Sequence, residues 1–404
     1  MRKVLRLFIF SLAFLFVFIG ININASTDYT EVLVNGDESK YGRYSIEENK
    51  AYNELPYGVV QRTDISSLSA SSGMVTAMGI GLTEYFVPGK DYPQQVNIME
   101  VPVSSDTKIV SWSILGKTTW NLNTVRAMAE DYEIKNPGYK VIGAINADFF
   151  DIRAEQPLPR TTNGAYISNG EYYKSKSGST VAFPNDGTTN TLIAGTPTRT
   201  SKMILNIYNT NDEIIDEFQI DKINSAPIEN EISIYYPYWT KTATAEKVLN
   251  KQTVENGFIV GDAEYSFGYS TTDFYGKGVI NEIGDKELNE GQFAIVSNNA
   301  DLKNKLGENV KIRAQYEYIG EFANITDATG AGVTLLEDGQ LNSVSDLARH
   351  PRTMIGKKAD GTIIMAVVDG RQPAKEMYGA SQVEMAAVMK HYGAVEAYNL
   401  DGGG

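Results

Sequence analysis

The hydrophobic and polar positions of this chain change period several times. An almost unbroken apolar run occupies residues 7–21, behind Arg2, Lys3 and Arg6, and the small residue Ala25 follows it. A positive start, an apolar stretch shorter than the ~20 residues that span a bilayer, and a small residue before Ser26 predict a cleaved secretion signal over residues 1–25. No other segment is long and apolar enough to cross, so no stable membrane span is expected after cleavage. Residues 26–73 are polar without a clear period and close on Ser66, Ser67, Ser69, Ser71 and Ser72, which predicts a linker or N-terminal arm. Strand-length apolar runs then begin, over 96–103 and 108–115. Asn123 reads as the N-cap of a helix stopped by Asn136-Pro137-Gly138. Residues 139–145 read as a strand that delivers Asn146 and Asp148 at its far end, on one face by alternation.

From 160 to 330 the text is β-rich, with short runs at 203–208, 232–236 and 257–260 between Asn, Asp and Gly turns. After Arg349 the rhythm sharpens. Residues 362–368 form the continuous apolar run of a strand buried on both faces. Ser381 with Glu384 three residues on makes a capping box. Val383, Ala386, Ala387 and Tyr392 mark the packing side of that helix, and Gly393 closes it. Residues 394–400 return as a strand. If the two strands are parallel neighbours, their C-terminal ends share one rim, where open sheets bind ligands. The expected fold is therefore α+β: a mixed β-sheet core with flanking helices and a β-rich middle segment at about 185–330. Its domain would run over 74–404.

Composition narrows the class. At 42 % hydrophobic and 21 % charged residues the chain is globular, and its 36 Gly and 24 Tyr favour a turn-rich β fold. The net charge is −14, and removal of residues 1–25 takes away three cations and no acids, giving −17. That balance excludes nucleic acid as a main partner. An exported chain without Cys has no disulfides and no thiolate chemistry, which suits a secreted or cell-wall-associated protein of a Gram-positive type of bacterium. Two histidines make a zinc site of ordinary composition a poor fit, while a hard divalent cation such as calcium, held by carboxylates and carbonyls, stays open. His391, near a helix end, reads as structural.

The candidate chemistry gathers at strand ends. Apolar runs end in Asp369-Gly370 and Asp401-Gly402; each alone reads as a turn, but together on one rim they offer two carboxylates. Gly402, Gly403 and Gly404 would let backbone amides approach an anion. Arg349, Arg352 and Arg371 lie near the same strands, and Arg352 followed by Thr353 is the strongest candidate for a phosphate or carboxylate. His350 beside it is a candidate proton carrier or ligand. No G-x-S-x-G elbow or P-loop occurs.

Several stretches together resemble the phosphodiester glycosidase family, whose founding activity is N-acetylglucosamine-1-phosphodiester alpha-N-acetylglucosaminidase and whose bacterial members are often labelled exopolysaccharide biosynthesis proteins. They are Ala144 to Phe150 (AINADFF), Gly164 to Gly170 (GAYISNG), His350-Pro351-Arg352-Thr353 with Ile355-Gly356, Val368 to Gln372 (VDGRQ), and Asn399 to Gly404 (NLDGGG). The resemblance spans about residues 75–404. It implies a hydrolase that frees a sugar from a phosphate-linked partner on cell-wall or exopolysaccharide glycans. It also implies that Asn146, Asp148, Arg352, Asp369, Arg371 and Asp401 line the pocket. Asp369 and Asp401 would be base or nucleophile and acid, in either order, because two carboxyl groups suit an oxocarbenium-like transition state. Asn146 and Asp148 would hold sugar hydroxyls or a cation. Tyr236 and Trp239 could form a stacking wall, packing being the plainer reading. Family members continue past the three glycines with further strand, so the resemblance implies a domain unfinished at Gly404. A non-catalytic glycan-binding protein and a metal-dependent phosphodiesterase are the competing functions.

Overall fold

The computed structural model describes residues 28–77, 82–118, 120–150, 161–174, 178–185, 191–197, 199–241, 243–244, 246–267 and 274–402. The expected secretion signal, Gly403 and Gly404 lie outside them.

The largest sheet has nine strands in the order Thr30–Val34, Asp37–Glu54, Val60–Ala70, Tyr92–Val101, Ile363–Val368, Arg352–Lys358, Ala394–Leu400, Thr334–Glu337 and Gln340–Leu341. Every pairing in it is antiparallel. Its first and last strands approach each other, so the sheet curls into a nearly closed barrel. The Gln382–His391 helix lies inside, packed against strands on opposite walls. Its residues from Gln382 to Met389 are all buried.

These facts overturn the α+β expectation. The protein is mostly β, and among the described residues its α-helices are Val125–Lys135, Ala300–Lys303 and Gln382–His391. The last does not flank a mixed sheet; it is the core of a barrel. Its middle is apolar all round, with Val383, Met385, Ala386, Ala387, Val388 and Met389 at near-zero exposure, and its first turn carries the buried Gln382 and Glu384. A helix without a polar face belongs in an interior.

The predicted capping box forms, with the Ser381 hydroxyl and backbone N–H both donating to Glu384 at 2.8 and 2.9 Å. The cap of the Val125–Lys135 helix falls one residue later than expected, because Thr124, not Asn123, accepts from Ala127 N–H at 3.2 Å.

The stretch read as a linker supplies the first three strands of the barrel. A few of its polar residues are turned inward and linked there, which is what hid the period. Ser66 donates to the Tyr44 hydroxyl at 2.8 Å, Tyr44 and Tyr392 share a hydrogen bond of 2.7 Å, and Tyr392 donates to the buried Asp64 at 2.5 Å. Residues 108–115 and 139–145 form no regular strand.

The strands Ile363–Val368 and Ala394–Leu400 run the same way, but Arg352–Lys358 lies between them, antiparallel to both. They are not neighbours. Alternation along these three strands builds two layers. Met354, Ile364, Ala366, Val368 and Ala397 face the inner helix. Ile355, Ile363, Met365, Tyr398 and Leu400 face outward onto a five-stranded sheet that includes Thr180–Phe183 and Asp327–Gly330. Burial on both faces accounts for the unbroken apolar run. A separate eight-stranded sheet, from Arg199–Tyr208 to Lys311–Tyr318 in chain order of its longest strands, has its own core. Tyr236 sits fully buried in that core, stacked on Phe293 at 5.1 Å, so it packs and offers no stacking wall.

Candidate functional site

A cleft of about 1580 Å³ opens in the layer outside the barrel. Its floor is Met99, Ile355, Met365 and Leu400 of the large sheet. One wall is Phe183, Asp327 and Thr329 of the five-stranded sheet, and the other is the 104–150 segment with its helix. Asn146, Asp148 and Asp401 line it.

The register explains which predicted residues arrive there. Thr353 shares a row with Val367 and Leu400, on the outward face. Its hydroxyl donates to Asn146 Oδ1 at 2.7 Å. The Asn146 amide donates through Nδ2 to the Asp401 carbonyl oxygen. Asp401 N–H in turn donates to the Ala147 carbonyl at 2.7 Å. The 146–148 segment and the end of the Ala394–Leu400 strand are thus latched side by side, 255 residues apart in sequence. Asp148 is seated by the Gly164 N–H at 2.7 Å. A Cβ on Gly330 would come within 2.6 Å of both Asp148 oxygens and of Gly164 Cα, so glycine is required for that seat. The GAYISNG stretch earns its place through Gly164; nothing in the sequence reading singled out Gly330.

Other candidates fall elsewhere. Arg352 shares a row with Val368 and therefore faces the inner helix. It is 7 % exposed, donating to Ala380 O at 2.8 Å, to Ala348 O at 2.8 Å and to Asp346 at 2.6 Å. It is a strut inside the barrel mouth. Asp369 lies opposite Gln95, whose carbonyl accepts its N–H at 3.0 Å, and it does not line the cleft. Burial raises its carboxyl above the ordinary aspartate value, against the pull of Gln372, Lys375 and Lys50. The structure therefore brings Asp401 together with the 146–148 segment and does not place Asp369 with them on the cleft.

His350, Gly370 and Arg371 form a second group beyond the same strand ends. Gly370 has no room for a side chain, since a Cβ would meet Pro351 N at 2.7 Å and Tyr378 O at 2.9 Å. Gly402 is likewise pressed against Pro351 and Arg352. These glycines serve close backbone packing. Arg371 adopts a left-handed φ of 57°. His350 is held below its ordinary value, first by burial and then by the neighbouring Arg352 and Arg371, against Asp346. It contacts Thr76 Oγ1 at 3.3 Å.

Two features of the site escaped the sequence. Asp327 is 1 % exposed in the cleft wall and accepts from Ser111 N–H at 3.1 Å, Asn185 at 3.1 Å and the Thr326 hydroxyl at 2.9 Å. Burial raises its carboxyl despite those donors. Asp327-Ala328-Thr329-Gly330 reads as a turn in one dimension, yet it is a fully buried strand. The second feature is the aromatic group of Trp112, Tyr132 and Tyr139. Among the described residues no three His, Asp or Glu side chains are grouped to hold a metal.

Residues 251–404 match the model of the phosphodiester glycosidase family. That range covers the Asp369-Gly370 and Asp401-Gly402 motifs and the Asp327–Gly330 strand of the cleft, whereas Asn146, Asp148 and the aromatic group precede it. A relative from Bacillus subtilis (strain 168), the SPbeta prophage-derived uncharacterized protein YomE, is 34 % identical over 79 residues. The match covers 18 % of this chain and only 12 % of that protein. A hypothetical protein from Synechocystis aligns with 93 % of this chain and 75 % of its own, at 15 % identity and a TM-score of 0.41. The zebrafish N-acetylglucosamine-1-phosphodiester alpha-N-acetylglucosaminidase catalytic domain, auto-inhibited by its pro-peptide, aligns with 89 % of this chain and 76 % of its own, at 13 % identity and a TM-score of 0.37.

Proposed function

We propose that this protein hydrolyses a glycosyl phosphodiester, with Asp401 and Asp148 as the working carboxylates. The observation that carries the reading is the latch. Asp401, within the matched phosphodiester glycosidase range, is tied through Asn146 and Ala147 to the segment bearing Asp148, and both acids line one cleft. Asp148 here takes the role expected of Asp369.

The chemistry follows from the bond to be broken. As the anomeric C1–O bond opens, its electron pair leaves on the phosphodiester oxygen, and positive charge grows on the sugar ring. One carboxylate stabilises that charge, directly as a nucleophile or as the base that takes a proton from attacking water, and the water oxygen becomes the new C1–O bond. The leaving phosphate is already an anion, so it needs little protonation. The N-terminal signal pattern supports export, and cell-wall or exopolysaccharide phosphodiesters are the substrates we propose.

The test is release of reducing sugar from a defined sugar-1-phosphate diester. Asp401→Asn and Asp148→Asn should each lower kcat by about 10²–10⁴-fold. Asp369→Asn should cost less than about tenfold. Sugar-1-phosphate as the product would instead indicate cleavage of the other P–O bond, and tight glycan binding without turnover would indicate a binding protein. Either result overturns the proposal.

A further inference from the structure

The cleft is larger than the bond-breaking centre needs. Sites for small ligands enclose about 300–1,000 Å³, against about 1580 Å³ here. Much of the cleft lining comes from the 104–150 segment, outside the family-matched residues, and that segment carries a built aromatic and cationic shelf.

Tyr132 is 4 % exposed and forms the base of the shelf. Trp112 meets it edge-on at 5.0 Å and is fixed by an indole N–H bond to Asp131 at 2.9 Å. Tyr139 meets it edge-on at 6.3 Å and is 50 % exposed. The Lys108 ammonium stands 4.1 Å from the Tyr139 ring centroid and 5.8 Å from that of Tyr132. Burial works against the Lys108 charge, but Tyr132, Tyr139 and Asp327 more than offset it and hold its proton more firmly than usual. All of these residues except Asp131 line the cleft. The packing explains the shelf: a buried ring braces an exposed one, so Tyr139 presents a flat apolar surface without having to be ordered on binding.

We infer that this shelf binds the partner side of the phosphodiester, taking the next sugar–phosphate unit of a polymer, with a sugar ring against Tyr139 and a phosphate at Lys108. The inference rests on the glycosyl phosphodiester reading above. Its chemistry is specific to such a ligand. A sugar offers a C–H face that packs on an aromatic ring, and a phosphodiester offers an anion. On a chain of net charge −14, Lys108 and Lys140 are the cations among the described residues lining the cleft. Lys140 is ion-paired with Glu133 at 2.5 Å, whereas Lys108 is held by the Tyr132 and Tyr139 rings with Asp327 farther off, so the anion is assigned to Lys108. A neutral glycan would not call for an ammonium beside the ring, and a lone phosphate would not call for the ring.

The experiment compares a single sugar-1-phosphate diester carrying a small chromogenic leaving group with an oligomer of sugar–phosphate repeats. In Tyr139→Ala and Lys108→Gln the preference for the oligomer, as a ratio of kcat/KM values, should fall about tenfold, the loss of one stacking or charged contact. Tyr139 is exposed, so its variant is expected to fold. An unchanged ratio overturns the shelf. Calorimetric titration of the Asp401→Asn variant with the same oligomer reads binding without turnover. Adding Tyr139→Ala should weaken it about tenfold, and equal affinity overturns the inference even if no substrate is turned over. Loss of turnover on both substrates in wild type, with oligomer binding still sensitive to Tyr139, would overturn the hydrolase reading and leave the shelf standing.

Discussion

Asn146 has two jobs that no single-residue pattern reveals. Its Oδ1 accepts from Thr353 and its amide donates to the Asp401 carbonyl, so it sets where the strand carrying Asp401 ends. Asn146→Ala should lower kcat more than tenfold and destabilise by about 1–3 kcal/mol, the cost of leaving buried partners unmade. Asn146→Asp keeps the acceptor but cannot donate to Asp401, so it should lose activity comparably; wild-type rates in that variant would refute the latch. Arg352 shows the opposite case, a residue that looked like a ligand and is structural. Burial pushes the carboxyl of its partner Asp346 up, but the Arg352 bond and the Ala348 N–H more than offset this and hold it below the ordinary value. A lowered carboxyl contributes stability above its unfolded value of 3.8, lost as pH falls through the lower folded value. The stability deficit of Arg352→Met, followed by urea unfolding from pH 7 to pH 3, should therefore shrink in acid. A deficit that grows on acidification would show that the ion pair is not its source.

Among the elements, the Gln382–His391 helix depends on one buried pair. Arg349, 1 % exposed, donates to Glu384 and to the Leu68 carbonyl at 3.2 Å, and its guanidinium lies 4.7 Å from the Phe86 ring and 4.2 Å from that of Tyr92. Glu384 also closes the capping box, so one carboxylate joins helix start, barrel wall and loop. Arg349→Met should cost about 3–5 kcal/mol by leaving that carboxylate buried and unpaired, measured by thermal or urea unfolding, and the double variant with Glu384→Gln should recover part of it. The helix itself, its capping box and the strand at 394–400 were legible because they rest on local signals: a hydroxyl, a carboxylate three residues on, an apolar run. The arm at 26–73 was not legible. Asp64, Ser66 and Tyr44 point into the barrel and are linked through Tyr392, more than 300 residues away, so inward positions read as polar.

For the molecule as a whole, a barrel wound round a helix predicts a ranking of local stability. Amide exchange in Gln382–His391 should be among the slowest in the protein, because water reaches it only when the barrel opens. The Val125–Lys135 helix, on the cleft side with one buried residue, should exchange much faster. Equal rates would mean the inner helix is not enclosed.

The sequence by itself determined the order of the motifs, the strand ends at Asp369 and Asp401, the inner helix with its cap, and the resemblance that the match over residues 251–404 bears out. Those follow from local periodicity and from residue types that a short stretch contains. Only the tertiary structure decided that the sheet closes around the helix and that Arg352 turns inward. It also decided that Asp401 meets Asn146 and Asp148, with Asp369 outside their cleft. The physical reason is register. In a sheet that joins Tyr92–Val101 to Ile363–Val368 across more than 250 residues, a side chain's face is set by the row in which its strand pairs. A shift of one row exchanges cleft for core.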